Sequence, residues 1–231
     1  MAQLPDQSRF SQKQISMKTA DWYFDFISPY AYLQATRLDE LSALVNIRAR
    51  PVLFAGLLNH HGQLGPAEIA PKRQFIFRQA LWLAKRQGIP MKLPPAHPFK
   101  PLPALRLAIA MDCDIRAVKT IFDFIWRDGY DVDNPQNWER LTRALGLENV
   151  EESLSDPAVK QTLRDNTDEA IAQGVFGVPT LVFDGEIFWG HDATDLLVDY
   201  LNDATSVKRD IFAPVDNLAQ GVAQRKQVAP K

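Results

Sequence analysis

Ser28 is the first residue of this chain whose position suggests chemistry. It stands where a short aromatic run, Trp22-Tyr23-Phe24-Asp25-Phe26-Ile27, gives way to Pro29 and a helix-spaced apolar repeat. A hydroxyl at a strand-to-helix junction serves most often as a helix cap; it can also donate to an anion, which the unpaired N–H groups and dipole of a helix start favour. Val178-Pro179 is a second candidate. A cis proline there leaves the Val178 N–H and C=O free to pair with a peptide-like ligand, whereas a trans proline simply opens an edge strand. His191-Asp192, ahead of the last apolar helix, is a third, with Asp192 placed either to receive a ligand ammonium or to cap that helix. Lys72, beside Arg73, begins another helix, where the dipole disfavours a cation, so solvent or an anion covers it.

Other chemistries lack their residues. His60, His61, His97 and His191 show no metal-ligand spacing, and no metal is expected. Glycine-rich phosphate loops and a GxSxG elbow are absent. Cys113 is the single cysteine, which excludes an intrachain disulfide, a CxxC redox pair and a cysteine-based zinc site. With 26 Lys+Arg against 28 Asp+Glu the net charge is −2, too balanced for a nucleic-acid or membrane-surface binder. Hydrophobic residues at 46% and charged residues at 23% are enough for a substantial core. No apolar stretch approaches the roughly 20 residues that span a bilayer, the N-terminus has no signal-like core, and the thiol is unpaired, so a cytoplasmic protein is expected.

The elements that must position these residues follow from periodicity. The aromatic run over 22–27 reads as a buried strand, and the apolar spacing after Pro29 predicts a helix to about Val45. Asn46 to Leu53 alternates like a strand that Pro51 confines to an edge or an end. Residues 54–155 are helical in pattern, interrupted by a proline-punctuated loop from Pro90 to Pro103; Phe54, Trp82, Phe99, Trp126 and Trp189 are either core or an aromatic pocket wall. Asp156-Pro157 starts a helix that Gly174 closes. Two short strands then meet across Asp184-Gly185, and a final helix passes through Leu201. The fold class is α/β, a thioredoxin-like domain (19–53 and 156–204) interrupted by an all-helical insertion (54–155), with a flexible extension at 1–18 and a tail at 205–231. Ser28-Pro29-Tyr30-Ala31 occupies the place where thiol–disulfide oxidoreductases of that fold carry CxxC, so thiol chemistry here needs an external thiol.

Phe24-Asp25-Phe26-Ile27-Ser28-Pro29-Tyr30-Ala31-Tyr32-Leu33, Pro71-Lys72-Arg73, Gly88-Ile89-Pro90, Gly174-Val175-Phe176-Gly177-Val178-Pro179-Thr180 and Phe188-Trp189-Gly190-His191-Asp192 resemble the 2-hydroxychromene-2-carboxylate isomerases, relatives of kappa-class glutathione transferases in the DsbA-like branch of the thioredoxin superfamily. The likeness spans about residues 20–203. It implies a homodimer that binds glutathione between the two domains and acts on a small aromatic substrate, with no nucleic-acid or membrane partner. By position, Ser28 would bond the glutathione sulfur, the main chain of Val178 before cis Pro179 the cysteinyl part, and His191-Asp192 the γ-glutamyl end. Lys72 and Gln63 match positions lining the cleft; Gln63 stands where the transferases carry Asn, and His191 replaces a smaller residue. A free thiol titrates near pH 8.5, and a hydroxyl donor at a helix start lowers that, making a thiolate available at neutral pH. Such a thiolate adds to a conjugated carbon of the chromene acid, bond rotation follows, and glutathione leaves unchanged. A transferase or peroxidase that consumes glutathione, and a non-catalytic glutathione- or peptide-binding module, are the alternatives.

Overall fold

The computed structural model describes residues 17–147, 150–205, 212–219 and 221. Four strands, β1 (Thr19–Phe24), β2 (Asn46–Pro51), β3 (Thr180–Phe183) and β4 (Glu186–Trp189), form one sheet in the order β2-β1-β3-β4. β1 pairs parallel with β2 and antiparallel with β3, and β3 pairs antiparallel with β4. β1 begins at Thr19, earlier than the aromatic run suggests. The buried Asp21 is accommodated because Arg48 and Arg50 of the neighbouring strand hold its carboxylate and keep it well ionised, below the ordinary carboxylate range despite burial.

The sheet separates two apolar layers. Alternation along β1 sends Trp22 and Phe24 to one face, into a large core with Leu33, Phe122 and Trp126; Tyr23 faces the other, with Leu57, Val175 and Val182. The large core is shared by α1 (Pro29–Ala35), α2 (Leu38–Ser42) and the helical segment between β2 and β3. That segment comprises α3 (Phe54–His61), α4 (Ala70–Gln87), α5 (Leu102–Ala110), α6 (Ile115–Phe122), α7 (Pro135–Ala144), α8 (Val150–Ser155) and α9 (Pro157–Ala172). Asn134 and Asp156 cap α7 and α9 through their side chains, as their place before proline predicts. The hairpin turn carries Asp184 and Gly185 both at positive φ, 52° and 80°, the conformation a two-residue turn between twisted strands requires. α10 (Thr194–Asn202) closes the domain, and a one-turn helix, α11 (Ala213–Asp216), lies within the stretch read as a tail. The extension at 1–16 and residues 206–211, 220 and 222–231 lie outside the described residues.

Two helices differ from the expected pattern. The helix after Pro29 breaks at Thr36-Arg37, where the Thr36 hydroxyl bonds the Leu33 carbonyl at 2.7 Å and Arg37 turns to Glu40 and Asp195. The helix from Ile115 widens into a π-turn over Asp123–Arg127. The Trp126 Nε1–H in that turn donates to the Phe26 carbonyl at 2.8 Å, two residues before Ser28. Trp126→Phe keeps the ring and removes that donor. It is expected to lower stability by about 1–3 kcal/mol, the cost of an unpaired buried carbonyl, measured as a shift in urea unfolding at unchanged slope; an unshifted midpoint would show that Phe26 finds another donor.

Candidate active site

Ser28 takes extended backbone angles as the cap of α1, and its Oγ accepts from the Ala31 N–H at 3.2 Å. The same hydroxyl donates to the Val178 carbonyl at 3.4 Å, a long bond that a stronger acceptor would displace. The Val178–Pro179 peptide is cis. A polar cleft of about 450 Å³ and an apolar cavity of about 280 Å³ flank this contact, and Tyr30 and Val178 line both. Arg37, Gln79, Gln87, Trp189, His191 and Asp192 furnish the polar cleft; Ser28, Ile27, Phe54, Leu58, Ile76 and Pro98 belong to the apolar one.

Five of the residues singled out in the sequence converge here: Ser28, Val178, Pro179, His191 and Asp192. Asp192 is not the cap of α10, whose start at Ala193 has no side-chain bond; its carboxylate is exposed and makes no hydrogen bond or ion pair among the described residues. Gly190, at φ 94°, makes room for it, since a Cβ there would lie 2.5 Å from Asp192 Oδ1. The Gly190 N–H bonds the Pro179 carbonyl at 2.9 Å, and its C=O accepts from the buried Gln34, which Trp22 and Thr194 also hold. Gln87 donates to His191 Nε2 at 3.0 Å, so the neutral ring carries its hydrogen on the buried, unpartnered Nδ1. Burial, then the Arg37 charge, holds the His191 pKa below its ordinary value.

Gln63 and Lys72 line neither cavity. Gln63 follows the left-handed Gly62 that ends α3, and its N–H closes the helix on the Leu58 carbonyl while the side chain faces solvent. Lys72 is exposed, solvent covering it; it shares a helical face with Ile76, Gln79 and Leu83, which do line the cleft, and stands one turn beyond them. The aromatic set divides: Phe54 and Trp189 are wall, Phe99 and Trp126 pack around His97, and Trp82 is exposed beneath Arg86. Half-buried Cys113 lines neither cavity, and burial pushes its thiol up to about 11. Among the described residues no cluster of three or more His, Cys, Asp or Glu could hold a metal, and no helix is long and apolar enough to cross a membrane.

Two site residues escaped the sequence reading. Asp25, 1% exposed, lines the apolar cavity and accepts from the N–H groups of Ile27 and Phe54, each at 3.0 Å. Burial pushes its pKa up to about 7, against the pull of those two N–H groups. His97 lines the same cavity, donates from Nε2 to the Ile27 carbonyl at 2.9 Å, and keeps an unpartnered Nδ1; burial lowers its pKa, so the ring is neutral. An acid inside an aromatic run was the available signal for Asp25; none marked His97 within its proline-rich loop.

The DSBA-like thioredoxin domain model matches residues 19–202. The chain belongs to the DSBA-like thioredoxin family. This DSBA-like protein is 30% identical over 193 residues to the 2-hydroxychromene-2-carboxylate isomerase of Sphingobium xenophagum, covering 80% of this chain and 99% of that one. It is 29% identical to glutathione S-transferase kappa 2 of Caenorhabditis elegans, covering 80% and 92%. A solved 2-hydroxychromene-2-carboxylate isomerase superposes with a TM-score of 0.71 at 25% identity, over 84% of this chain and 98% of that one. The DSBA-like fold thus carries a serine at the start of α1, facing a cis-proline loop, and an isomerase and a glutathione transferase are among its relatives.

The raised pKa of Asp25 predicts a pH dependence of stability. An unfolded aspartate protonates near pH 3.9, so between there and about 7 the folded state holds one proton more than the unfolded state. Stability therefore falls as pH rises through that window, by at most about 1.4 kcal/mol per pH unit from this group. Asp25→Asn removes the contribution. Urea unfolding of both proteins from about pH 4 to about pH 7 is expected to move in the variant's favour as pH rises; a pH-independent difference would contradict the assignment.

Proposed function

We propose that this protein is a glutathione-dependent cis–trans isomerase of 2-hydroxychromene-2-carboxylate-type aromatic acids, a homodimer of the cytoplasm. The observation that carries the reading is the Ser28 hydroxyl, set between a polar cleft and an apolar cavity and only loosely engaged by Val178. The residues fit an extended thiol tripeptide. Asp192 offers an exposed carboxylate to an ammonium, the buried Nδ1–H of His191 lacks an acceptor among the described residues, and the Val178 main chain stands beside Ser28. When bound, glutathione supplies a thiolate that adds to a conjugated carbon, permits bond rotation and leaves unchanged.

In this reading Ser28 acts as donor and not as nucleophile. It turns its hydrogen from the Val178 carbonyl to the sulfur while its oxygen still accepts from Ala31, so α1 keeps its cap. α1 is only seven residues long, so the hydroxyl and the first-turn N–H groups carry the stabilisation. Ile27, Phe54, Leu58 and Ile76 exclude water from the aromatic ring. The exposed Phe75 and Trp82 on α4 support pairing of two copies.

The kappa-class relative favours one further reading, a transferase in which the same thiolate is consumed. Chromene acid mixed with the protein, followed by ultraviolet spectroscopy with and without glutathione, separates them. The isomerase reading expects spectral conversion only with glutathione and full recovery of free thiol; stoichiometric thiol loss indicates the transferase, and no conversion by glutathione-bound protein removes the isomerase. Ser28→Ala is expected to lower kcat by about 10²-fold with a modest change in glutathione affinity, the cost of one donor to a developing anion. Unchanged kcat would remove Ser28 from the chemistry.

A further inference from the structure

Asp25 is a buried acid that the proposed chemistry does not use, although it faces the cavity where that chemistry takes place. The residue is 1% exposed, its carboxylate is bonded by two backbone N–H groups, and it has no cationic partner among the described residues. No Lys or Arg lines the apolar cavity. The other titratable groups on its wall come from three elements: Tyr30 of α1, whose pKa burial raises to about 12; Glu68, before α4, exposed and bonded to the Gly65 N–H; and His97, kept neutral by burial. None of these enters the balance that sets the Asp25 pKa, which rests on burial and the N–H groups of Phe54 and Ile27. An ionised Asp25 would therefore be a buried charge with no cation on the cavity wall to offset it, and a thiolate beside Ser28 would add another.

We propose that Asp25 and the thiol seated at Ser28 share one proton, so that the thiolate forms with Asp25 protonated. The inference rests on the glutathione reading above. Two like charges facing one apolar cavity of about 280 Å³ oppose each other's ionisation, and the pair titrates as a unit. The S–H bond is lost, sulfur keeps the electron pair, and the carboxylate gains the proton; when sulfur is released, the proton returns to it. No co-reactant is needed. The burial that brings the Asp25 pKa to about 7 makes it a matched acceptor for an acidified thiol at neutral pH. Asp25 also holds Ile27 and Phe54, walls of the cavity, so its protonation state and the shape of the thiol site are linked.

The test is the ultraviolet titration of thiolate in glutathione bound to wild type and to Asp25→Asn, with binding checked by calorimetry. In the wild type the thiolate is expected to appear over a broad two-step range; in Asp25→Asn it should appear in a single step with a midpoint lower by about one unit. A merely structural role for Asp25 would not make the bound thiol more acidic. Identical titrations in two proteins that both bind glutathione overturn the proposal and leave the glutathione site standing; failure of the wild type to bind glutathione overturns both. Should Asp25→Asn fail to fold, the infrared band of the protonated carboxyl in wild type decides. Glutathione is expected to keep that band to higher pH than S-methylglutathione does, and equal behaviour of the two ligands overturns the proposal.

Discussion

Ile27 has both its backbone polar groups taken by side chains, the buried Asp25 accepting its N–H and the half-buried His97 donating to its C=O. One residue earlier, Trp126 donates to the carbonyl of Phe26. Backbone groups withdrawn from water must find partners, and three bonds on two successive residues leave the turn into Ser28 one conformation. Two of the donors, His97 and Trp126, belong to the helical segment between the two halves of the sheet. The insertion is therefore part of the machinery that places Ser28, besides forming a wall of the cleft. Trp22, Phe24 and Phe26 pack against Phe122 of that segment within one aromatic cluster, so the β1 core and the Ser28 turn share the same neighbours.

The contact between Ser28 and Val178 divides the site chemically. On one side lie Arg37, Gln87, His191 and Asp192, groups suited to a zwitterionic, peptide-like ligand. On the other lie aliphatic and aromatic side chains that favour a flat apolar ring. A serine in that position supplies a hydrogen-bond donor without a redox-active sulfur, so any thiol chemistry depends on what the polar cleft holds. Cys113 is no substitute, since burial raises its pKa and keeps it a thiol at neutral pH.

The sequence alone determined the order of elements, the proline-marked start of α9 and the Asp184-Gly185 hairpin, because each rests on local rules of capping, turn geometry and periodicity, whereas the opposition of Ser28 to Val178-Pro179 followed from the thioredoxin-like order and the family resemblance. It did not reveal the break at Thr36, where a side chain competes for a backbone carbonyl, or the π-turn that brings Trp126 to Phe26. Gln63 and Lys72 lay on cleft-forming segments, yet whether a side chain at such a position lines a cavity depends on the path of its neighbours. Asp25 and His97, separated by 72 residues in number, meet at Ile27 only when the proline-rich loop folds over the end of β1. Only the tertiary structure decided that meeting, and with it the burial that moves the Asp25 titration toward neutrality, because desolvation is a property of everything packed around a group and leaves no mark in its sequence neighbours.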